Sequence, residues 1–325
     1  MKTGKLPVEV LEKCVLSKTG IRRPEVLVPP GVGEDCAALD FGGDLVAVSS
    51  DPITGAANQI GWYAVHVGCN DLAACGAQPV AVTLTILAPE NATAQQVEEV
   101  MAQAHDACVQ LGISIAGGHT EVTEAVRRLV VCTTAIGRVP RTGLVTPQGM
   151  KPGHALIVTK SVGLEGTSIL AVAKRDVLDL SVPREMIRQA MEFSKLISVV
   201  RDGLVAAGAG ASAMHDITEG GLLGAVWELC HAAGCGAVVH REAVPVAPET
   251  AAICKALSLD PLKLISSGSM LVAAPNPERM LEELHKAGVS ASVVGHVTGE
   301  GIYLEADGQR QQIQPPDSDE LWKVL

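Results

Sequence analysis

Aromatic residues are nearly missing: Trp 3, Tyr 2 and Phe 2 in 325 residues, or 2% of the chain. That argues strongly against a groove that stacks nucleobases on aromatic rings. The core has to be assembled from Val, Ile, Leu and Ala, with tight turns drawn from 33 glycines. Positive charge is also scarce. Lys and Arg total 25 against 36 Asp and Glu, a net charge of −11, and no basic run offsets it locally. Such a surface repels a polyphosphate backbone, which argues against a nucleic-acid partner. No apolar run spans a bilayer; the least polar stretch, Gly203 to Met214, is mostly Ala and Gly and falls well short of the ~20 residues required. The opening Met1-Lys2-Thr3-Gly4-Lys5-Leu6-Pro7, followed by Glu9, Glu12 and Lys13, lacks the apolar centre of a signal peptide. The 9 cysteines are odd in number and form no Cys-x-x-Cys, so they read as reduced core thiols. The expectation is a soluble, cytoplasmic protein without a membrane partner.

The familiar nucleotide and hydrolase signatures are missing as well. There is no Gly-x-x-x-x-Gly-Lys-Ser/Thr loop, no Gly-x-Ser-x-Gly elbow and no His-Glu-x-x-His. Gly31-Val-Gly33 is followed by Cys36 where a dinucleotide fingerprint needs its third glycine.

What is present is ample core material, 47% hydrophobic against 19% charged, in a chain long enough for about two domains. Short β-branched runs mark strands at Leu45–Ser50, Val80–Leu87, Leu129–Val139, Ala155–Ser161, Met270–Ala274, Ala291–Val297 and Gly301–Glu305. Helical spacing is clearest from Ala94 to Leu111, with Thr93 as N-cap and Gly112 as the stop. Further helices are expected over about Trp62–Cys75, Pro183–Ala207, Gly221–Ala233 and Pro277–Ala287. The mixture predicts an α/β or α+β fold. Arg138 to Gly153 holds three prolines and three glycines, which places the domain boundary there, giving domains 1–150 and 151–325.

Acidic residues recur at turn-like junctions beside glycine or other small residues: Gly31-Val-Gly-Glu-Asp35, Ser49-Ser-Asp51, Asn70-Asp71, Gly117-Gly-His-Thr-Glu121 and His215-Asp-Ile-Thr-Glu-Gly-Gly221. Singly, each reads equally as a turn former or helix cap. Asp71, however, lies in a helix otherwise apolar or small, where a carboxylate is costly to bury without a cation or donors. Hard oxygen ligands in this number suit Mg²⁺, whose shell is completed by phosphate oxygens and water. The turns at Gly117-Gly118 and Gly220-Gly221 offer backbone N–H groups to an anion. Carboxylates and phosphate cooperate only through cations, so the pattern points to metal-bridged polyphosphate.

In this order the motifs resemble the aminoimidazole-ribonucleotide (AIR) synthetase, or PurM-like, superfamily, whose relatives include selenophosphate synthetase, thiamine-monophosphate kinase and HypE. The stretches that carry the likeness run from Gly31-Val-Gly-Glu-Asp-Cys-Ala-Ala38 through Ser50-Asp-Pro-Ile-Thr54, Asn70-Asp-Leu-Ala-Ala-Cys-Gly-Ala-Gln-Pro79 and Gly117–Glu121. They continue with Gly153–Val158, His215–Leu222 and Ser266-Ser-Gly-Ser-Met-Leu271. The resemblance implies a two-domain fold and a homodimer in which N-terminal sheets build a shared barrel. It also implies ATP with Mg²⁺ as cofactors, and phosphorylation or phosphoryl activation of a small-molecule or protein-borne acceptor. Carried over by position, Asp35, Asp51 and Asp71 are metal ligands, and Gly33, Glu34, Asn70, Gly117, Gly118 and Thr120 surround the phosphates. Asp216 is a catalytic or substrate contact.

The block order is most like HypE, with two departures. HypE has Gly-Asp-Thr-Lys where this chain has Gly118-His119-Thr120-Glu121, which makes Glu121 a further candidate metal ligand. His119 is then either an imidazole donor to phosphate, counted with the catalytic residues, or a packed side chain. HypE also acts on its own C-terminal cysteine, whereas this sequence ends Trp322-Lys-Val-Leu325 and its last cysteine is Cys254. Self-directed nitrile synthesis is therefore not expected. Selenophosphate synthesis is disfavoured too, since Cys14 falls in a helical apolar pattern that predicts a packed thiol. The alternatives are a small-molecule kinase like thiamine-monophosphate kinase, and a nucleotide-binding maturation or regulatory partner without turnover.

Overall fold

The computed structural model describes residues 4–53, 59–316 and 318–325; Met1–Thr3, Thr54 of the Ser50–Thr54 motif and Asp317 lie outside them. The first sheet is formed by β1 (Val26–Val28), β2 (Ala37–Leu39), β3 (Leu45–Ile53), β4 (Gln78–Ala88), β5 (Ser114–Val122) and β6 (Val130–Val139), in the order β1-β2-β3-β6-β4-β5. All its pairings are antiparallel except β4 with β5. Residues alternate along β3 and β6, so one face buries Leu45, Ala47, Val131 and Ala135 while Val46, Val48, Thr134 and Ile136 stay half-exposed.

The second sheet contains β7 (Ala155–Thr159), β8 (Ala213–Asp216), β9 (Gly236–His240), β10 (Met270–Ala274), β11 (Ala291–Thr298), β12 (Ile302–Ala306) and β13 (Gln309–Gln312), ordered β13-β12-β9-β11-β7-β10-β8. Its central strands β7 and β10 are buried almost throughout. Among the described residues ten helices accompany the sheets: α1 (Val8–Leu11), α2 (Ile60–Ala74), α3 (Ala94–Leu111), α4 (Leu164–Ala173), α5 (Arg175–Leu178), α6 (Arg184–Met191), α7 (Val200–Ala209), α8 (Gly221–Ala233), α9 (Pro248–Leu257) and α10 (Pro277–Lys286). The mixed α/β fold matches the sequence-based expectation.

Helix α2 holds the two sheets together. It has no polar face, and Trp62 and Val67 are its only residues that are not fully buried. Small residues let its neighbours approach: a Cβ on Gly61 would lie 2.1 Å from the Val100 carbonyl oxygen of α3, and one on Gly203 of α7 would lie 2.4 Å from the Ala73 carbonyl oxygen. The main core accordingly joins α2, α3 and the first sheet to α7, α10 and β10.

Helix α3 begins and ends where predicted. Thr93 and Gln96 form a capping box, and Gly112 closes the helix with φ 69°. The long helix expected over Pro183–Ala207 is instead broken into α6, a 3₁₀ turn at Glu192–Leu196 and α7. Asn70 explains the break. Its Nδ2 donates to Ile197 O at 2.9 Å and its Oδ1 accepts from Val199 N at 2.8 Å, diverting both backbone groups from a helical ladder. Trp322, placed near the end of the polar tail, donates from Nε1 to Glu219 Oε1 at 2.6 Å and fixes the tail to the second half. The cysteines are unpaired; six are buried and two half-buried, but Cys14 is exposed rather than packed, because the 12–16 turn lies on the surface.

Asn70→Ala strands two buried backbone groups, so urea unfolding should show a loss of about 2–4 kcal/mol. Thr93→Ala removes only a cap and should cost about 1 kcal/mol in the same measurement.

Candidate functional site

Four carboxylates meet at the seam between the sheets, each brought by a different element. Asp35 lies in the loop before β2, Asp51 on β3, Asp71 on the inner face of α2 and Asp216 at the end of β8. Ser49 links two of them, donating toward Asp51 Oδ2 at 3.1 Å and standing in a short hydrogen bond with Asp71 Oδ2. Asp35, His215 and Asp216 offer ligand atoms that all lie within 4.8 Å of one another. Asp216 Oδ2 is buried without a hydrogen-bond partner.

His215 is the local counter-charge. Its Nδ1 is in ion-pair contact with Asp35, though the N–H is not aligned as a hydrogen bond. Its Nε2 lies 3.1 Å from Glu228 Oε2, and both Glu228 oxygens take hydrogen bonds of 3.1 Å from Lys5 Nζ. Burial works against a charge on His215, but Asp35 and Glu228 override it and lift the imidazole to about 10. Burial pushes Glu228 up, yet Lys5 and His215 bring it down to about 2. Two cations thus reach into the cluster along the path Lys5–Glu228–His215–Asp35. They do not neutralise it. Burial, then the charge of Asp35, raises Asp216 to about 7; burial, then Asp216 and Asp51, holds Asp71 well above the carboxylate range.

This donor set fits a hard divalent cation. The carboxylates supply oxygens, Asp216 keeps a free one, and the protonated His215 serves as counter-ion because an imidazolium has no lone pair to ligate. The sequence motifs had singled out Asp35, Asp51, Asp71 and Asp216. The roles of His215, Glu228 and Lys5 were missed; the signal available was His215 directly before Asp216.

The remaining candidates sit elsewhere. Asn70 is fully buried and spends its amide on Ile197 and Val199, which leaves nothing for a phosphate. Gly33, at φ 78°, packs on α8, where a Cβ would meet the Glu228 carbonyl oxygen at 2.6 Å. Glu34 accepts from Gln148 Nε2 at 2.8 Å and lies between Asp35 and an open hollow of about 430 Å³. Gly117, Gly118, His119, Thr120 and Glu121 do not form a turn; they run along edge strand β5, parallel to β4. Gly118 is required there because a Cβ would lie on the Leu84 carbonyl. Asp51 pairs with Thr133, Thr133 with Leu84 and Leu84 with Gly118, a separation of three strand spacings or roughly 14 Å. His119 and Glu121 pair with each other at 3.1 Å, their side chains 64% and 49% exposed. Within one chain they are thus apart from the cluster. The turn at Gly220 is closed as well, because its N–H donates to Asp319 Oδ2 at 2.7 Å.

A six-stranded and a seven-stranded sheet that share a carboxylate-lined seam define a two-sheet α/β architecture. The chain belongs to the AIR synthase related proteins: the N-terminal domain of that family matches residues 33–139 and the C-terminal domain residues 151–306. It is 27% identical over 337 residues to a putative hydrogenase expression/formation protein of Methanocaldococcus jannaschii, covering 99% of this chain and 97% of that one. It is 28% identical to the carbamoyl dehydratase HypE of Escherichia coli, covering 90% and 89%. Among solved structures, HypE in complex with ATP superposes with a TM-score of 0.71 at 22% identity, covering 98% of this chain and 97% of that one. AaThiL complexed with AMPPCP and TMP superposes with a TM-score of 0.75 at 17% identity, covering 98% and 99%. These likenesses establish the two-domain PurM-like fold. Among the described residues no helix is long and apolar enough to cross a membrane.

Because the fold raises Asp216 to about 7, folding favours its proton. That contribution is complete below the unfolded pKa of about 3.9 and is lost as pH rises through about 7. Asp216→Asn should therefore stabilise the metal-free protein at pH 8, by on the order of 2 kcal/mol, and have little effect at pH 4. Thermal unfolding at the two pH values checks this.

Proposed function

We propose that the chain is an ATP- and Mg²⁺-dependent enzyme that transfers a phosphoryl group to an oxygen of a small or protein-borne acceptor. The observation that carries this reading is the cluster of Asp35, Asp51, Asp71 and Asp216, with an unpartnered oxygen on Asp216. Buried carboxylates held together against their repulsion have no packing purpose, and a divalent cation with phosphate oxygens removes the conflict. The family membership and the ATP and AMPPCP named for the similar structures support the same choice.

Mg²⁺ held by these carboxylates would neutralise charge on the phosphoryl group in transit. The protein's own part is positional. His215, clamped between Asp35 and Glu228, fixes the Asp35 carboxylate, and Ser49 orients Asp51 and Asp71. Asp216 stands at the sheet end where acceptor and phosphoryl group would meet. Its side chain is placed to take a proton from an acceptor hydroxyl or amide. Two outcomes share this geometry. An acceptor phosphorylated as final product makes a kinase, and an amide-type oxygen phosphorylated and then displaced makes a dehydratase or ligase. The 28% identity to a carbamoyl dehydratase across most of both chains favours the second. The sulfur of this chain's Cys254 is an unsuitable acceptor, since it is buried and its thiol is pushed up to about 12 by that burial.

The half-exposed face of the first sheet and the exposed edge strand β5 are proposed to close against a second copy. Val46, Val48 and Ile136 lie on that face and Val122 on the edge, 67% exposed. Sedimentation equilibrium should give twice 33.6 kDa; a monomer at micromolar concentration would overturn the homodimer.

Calorimetric titration with a non-hydrolysable ATP analogue should show saturable binding that requires Mg²⁺ and weakens at least about tenfold in Asp71→Asn. Binding that is indifferent to Mg²⁺ and to that substitution would sink the assignment. With an acceptor in hand, ADP with a stable phosphorylated product marks a kinase, and released inorganic phosphate marks activation.

A further inference from the structure

One motif of the sequence has no part in the carboxylate cluster: Ser266-Ser267-Gly268-Ser269, the turn that leads into β10. Two of its hydroxyls only hold loops. Ser269 Oγ donates to Ser161 O at 2.7 Å, so Ser266 Oγ donates to Ser269 Oγ at 3.0 Å and accepts from Gly163 N at 2.7 Å. Ser267 is the exception. It is 1% exposed and hydrogen-bonds Glu165, at the start of α4.

Glu165 is 6% exposed, and its Oε2 has no partner. Beside it stands Tyr63 of α2, 3% exposed, with Oη 2.9 Å from Ser168 Oγ. Ser168 gives its single proton to the Glu165 carbonyl oxygen at 2.9 Å, so the Tyr63 hydroxyl must donate to Ser168. The lone pairs on Tyr63 Oη are then free. Among the described residues these two neighbouring buried acceptors have no donor, which favours a ligand that brings one.

The charge of that donor follows from the surroundings. Asp319 and Glu219 face Glu165 and add to the negative field. Among the described residues, none of Glu165, Asp319 and Glu219 forms an ion pair with Lys, Arg or His. A metal ion is a poorer fit because the neighbouring carboxylates are already turned toward protein donors. Both Asp319 oxygens accept backbone N–H groups, from Gly220 and Leu321, and Glu219 Oε1 accepts from Trp322. Among the described residues Glu165 Oε2 and Tyr63 Oη are the buried acceptors without a donor, a pair suited to one protonated amine.

The place also has the right neighbours. Ile217 N donates to Ser269 O at 3.0 Å, so the serine turn abuts the residue after Asp216, and Met270 pairs directly with Asp216. We propose that Glu165 and Tyr63 form a subsite for a primary ammonium group, carried by the acceptor and held beside the Asp216 cluster. This deepens the phosphoryl-transfer reading, on which it rests only in calling the ligand the acceptor.

Saturation-transfer NMR with methylammonium at pH 8 tests it on the full chain, with acetamide and tetramethylammonium as controls. Methylammonium should bind saturably to the wild type. The affinity should fall about tenfold or more in Glu165→Gln and severalfold in Tyr63→Phe. Acetamide and tetramethylammonium should bind at least about tenfold more weakly than methylammonium, lacking the charge and the N–H donors respectively. Absence of methylammonium binding to the wild type overturns the proposal and leaves Glu165 a buried acid only. Equal binding to wild type and to both variants overturns it too, as does acetamide binding as well as methylammonium. The ATP analogue titrated into the same samples separates the two readings. Nucleotide binding without amine binding defeats the subsite alone, and amine binding without nucleotide binding defeats phosphoryl transfer alone.

Discussion

Mutual repulsion among four clustered carboxylates, two of them buried, is the constraint around which the seam is organised. Asp35, Asp51, Asp71 and Asp216 sit on four different elements, and nothing in local sequence obliges those elements to converge. Left to electrostatics the cluster would open. It is held by packing, because α2 is clasped on one side by the first sheet and α3 and on the other by α7, through contacts that admit only small residues. The close approaches at Gly61 and Gly203 matter because they leave α2 no slack to tilt away when Asp71 ionises.

The counter-charges are arranged to relieve that repulsion only in part. His215 is pinned between Asp35 and Glu228, and Glu228 is itself committed to Lys5. This chain fixes one carboxylate of the four. Asp71 and Asp216 keep raised affinities for protons, and Asp216 keeps a bare oxygen. A site meant only for stability would have paired the carboxylates fully or replaced them with apolar residues of similar volume. Partial compensation holds the geometry while leaving the attraction for an incoming cation intact.

Much of this was legible in the sequence, and the divisions are instructive. Helix α3 was readable to the residue because its signals are local: a capping box, an amphipathic repeat and a left-handed glycine. Of the four Asp positions only Asp71 stood out alone, as a carboxylate inside an apolar helix; Asp35, Asp51 and Asp216 stood out through the order of motifs that carries the family resemblance. The failures have long-range causes. Asn70 stands next to Asp71 and looked like part of the same site, yet its amide is taken by a segment 127 to 129 residues away. That same contact broke the helix expected from Pro183 to Ala207. Gly117-Gly118 looked like a turn because paired glycines usually are. Here Gly118 answers to a neighbouring strand's carbonyl, and only the register of β4 with β5 reveals it. Glu165 was passed over because a lone Glu after Gly163-Leu164 carries no pattern; its meaning lies in the serines and the tyrosine that fold onto it.

The two anionic places along the seam bear on how ligands arrive. Helix α2 contributes Tyr63 near one and Asp71 to the other, eight residues or about 12 Å apart along its axis. A free nucleotide is an anion and would be repelled by both, whereas a metal–nucleotide complex brings the cation that the Asp cluster lacks. With Mg²⁺ and polyphosphate at that end their charges would largely cancel, and Glu165 would remain the negative point facing the acceptor. The field that would turn away a bare nucleotide would therefore draw in an ammonium group at the other end. The same excess of acid over base that argues against a nucleic-acid partner would thus serve, at this seam, to sort ligands by charge.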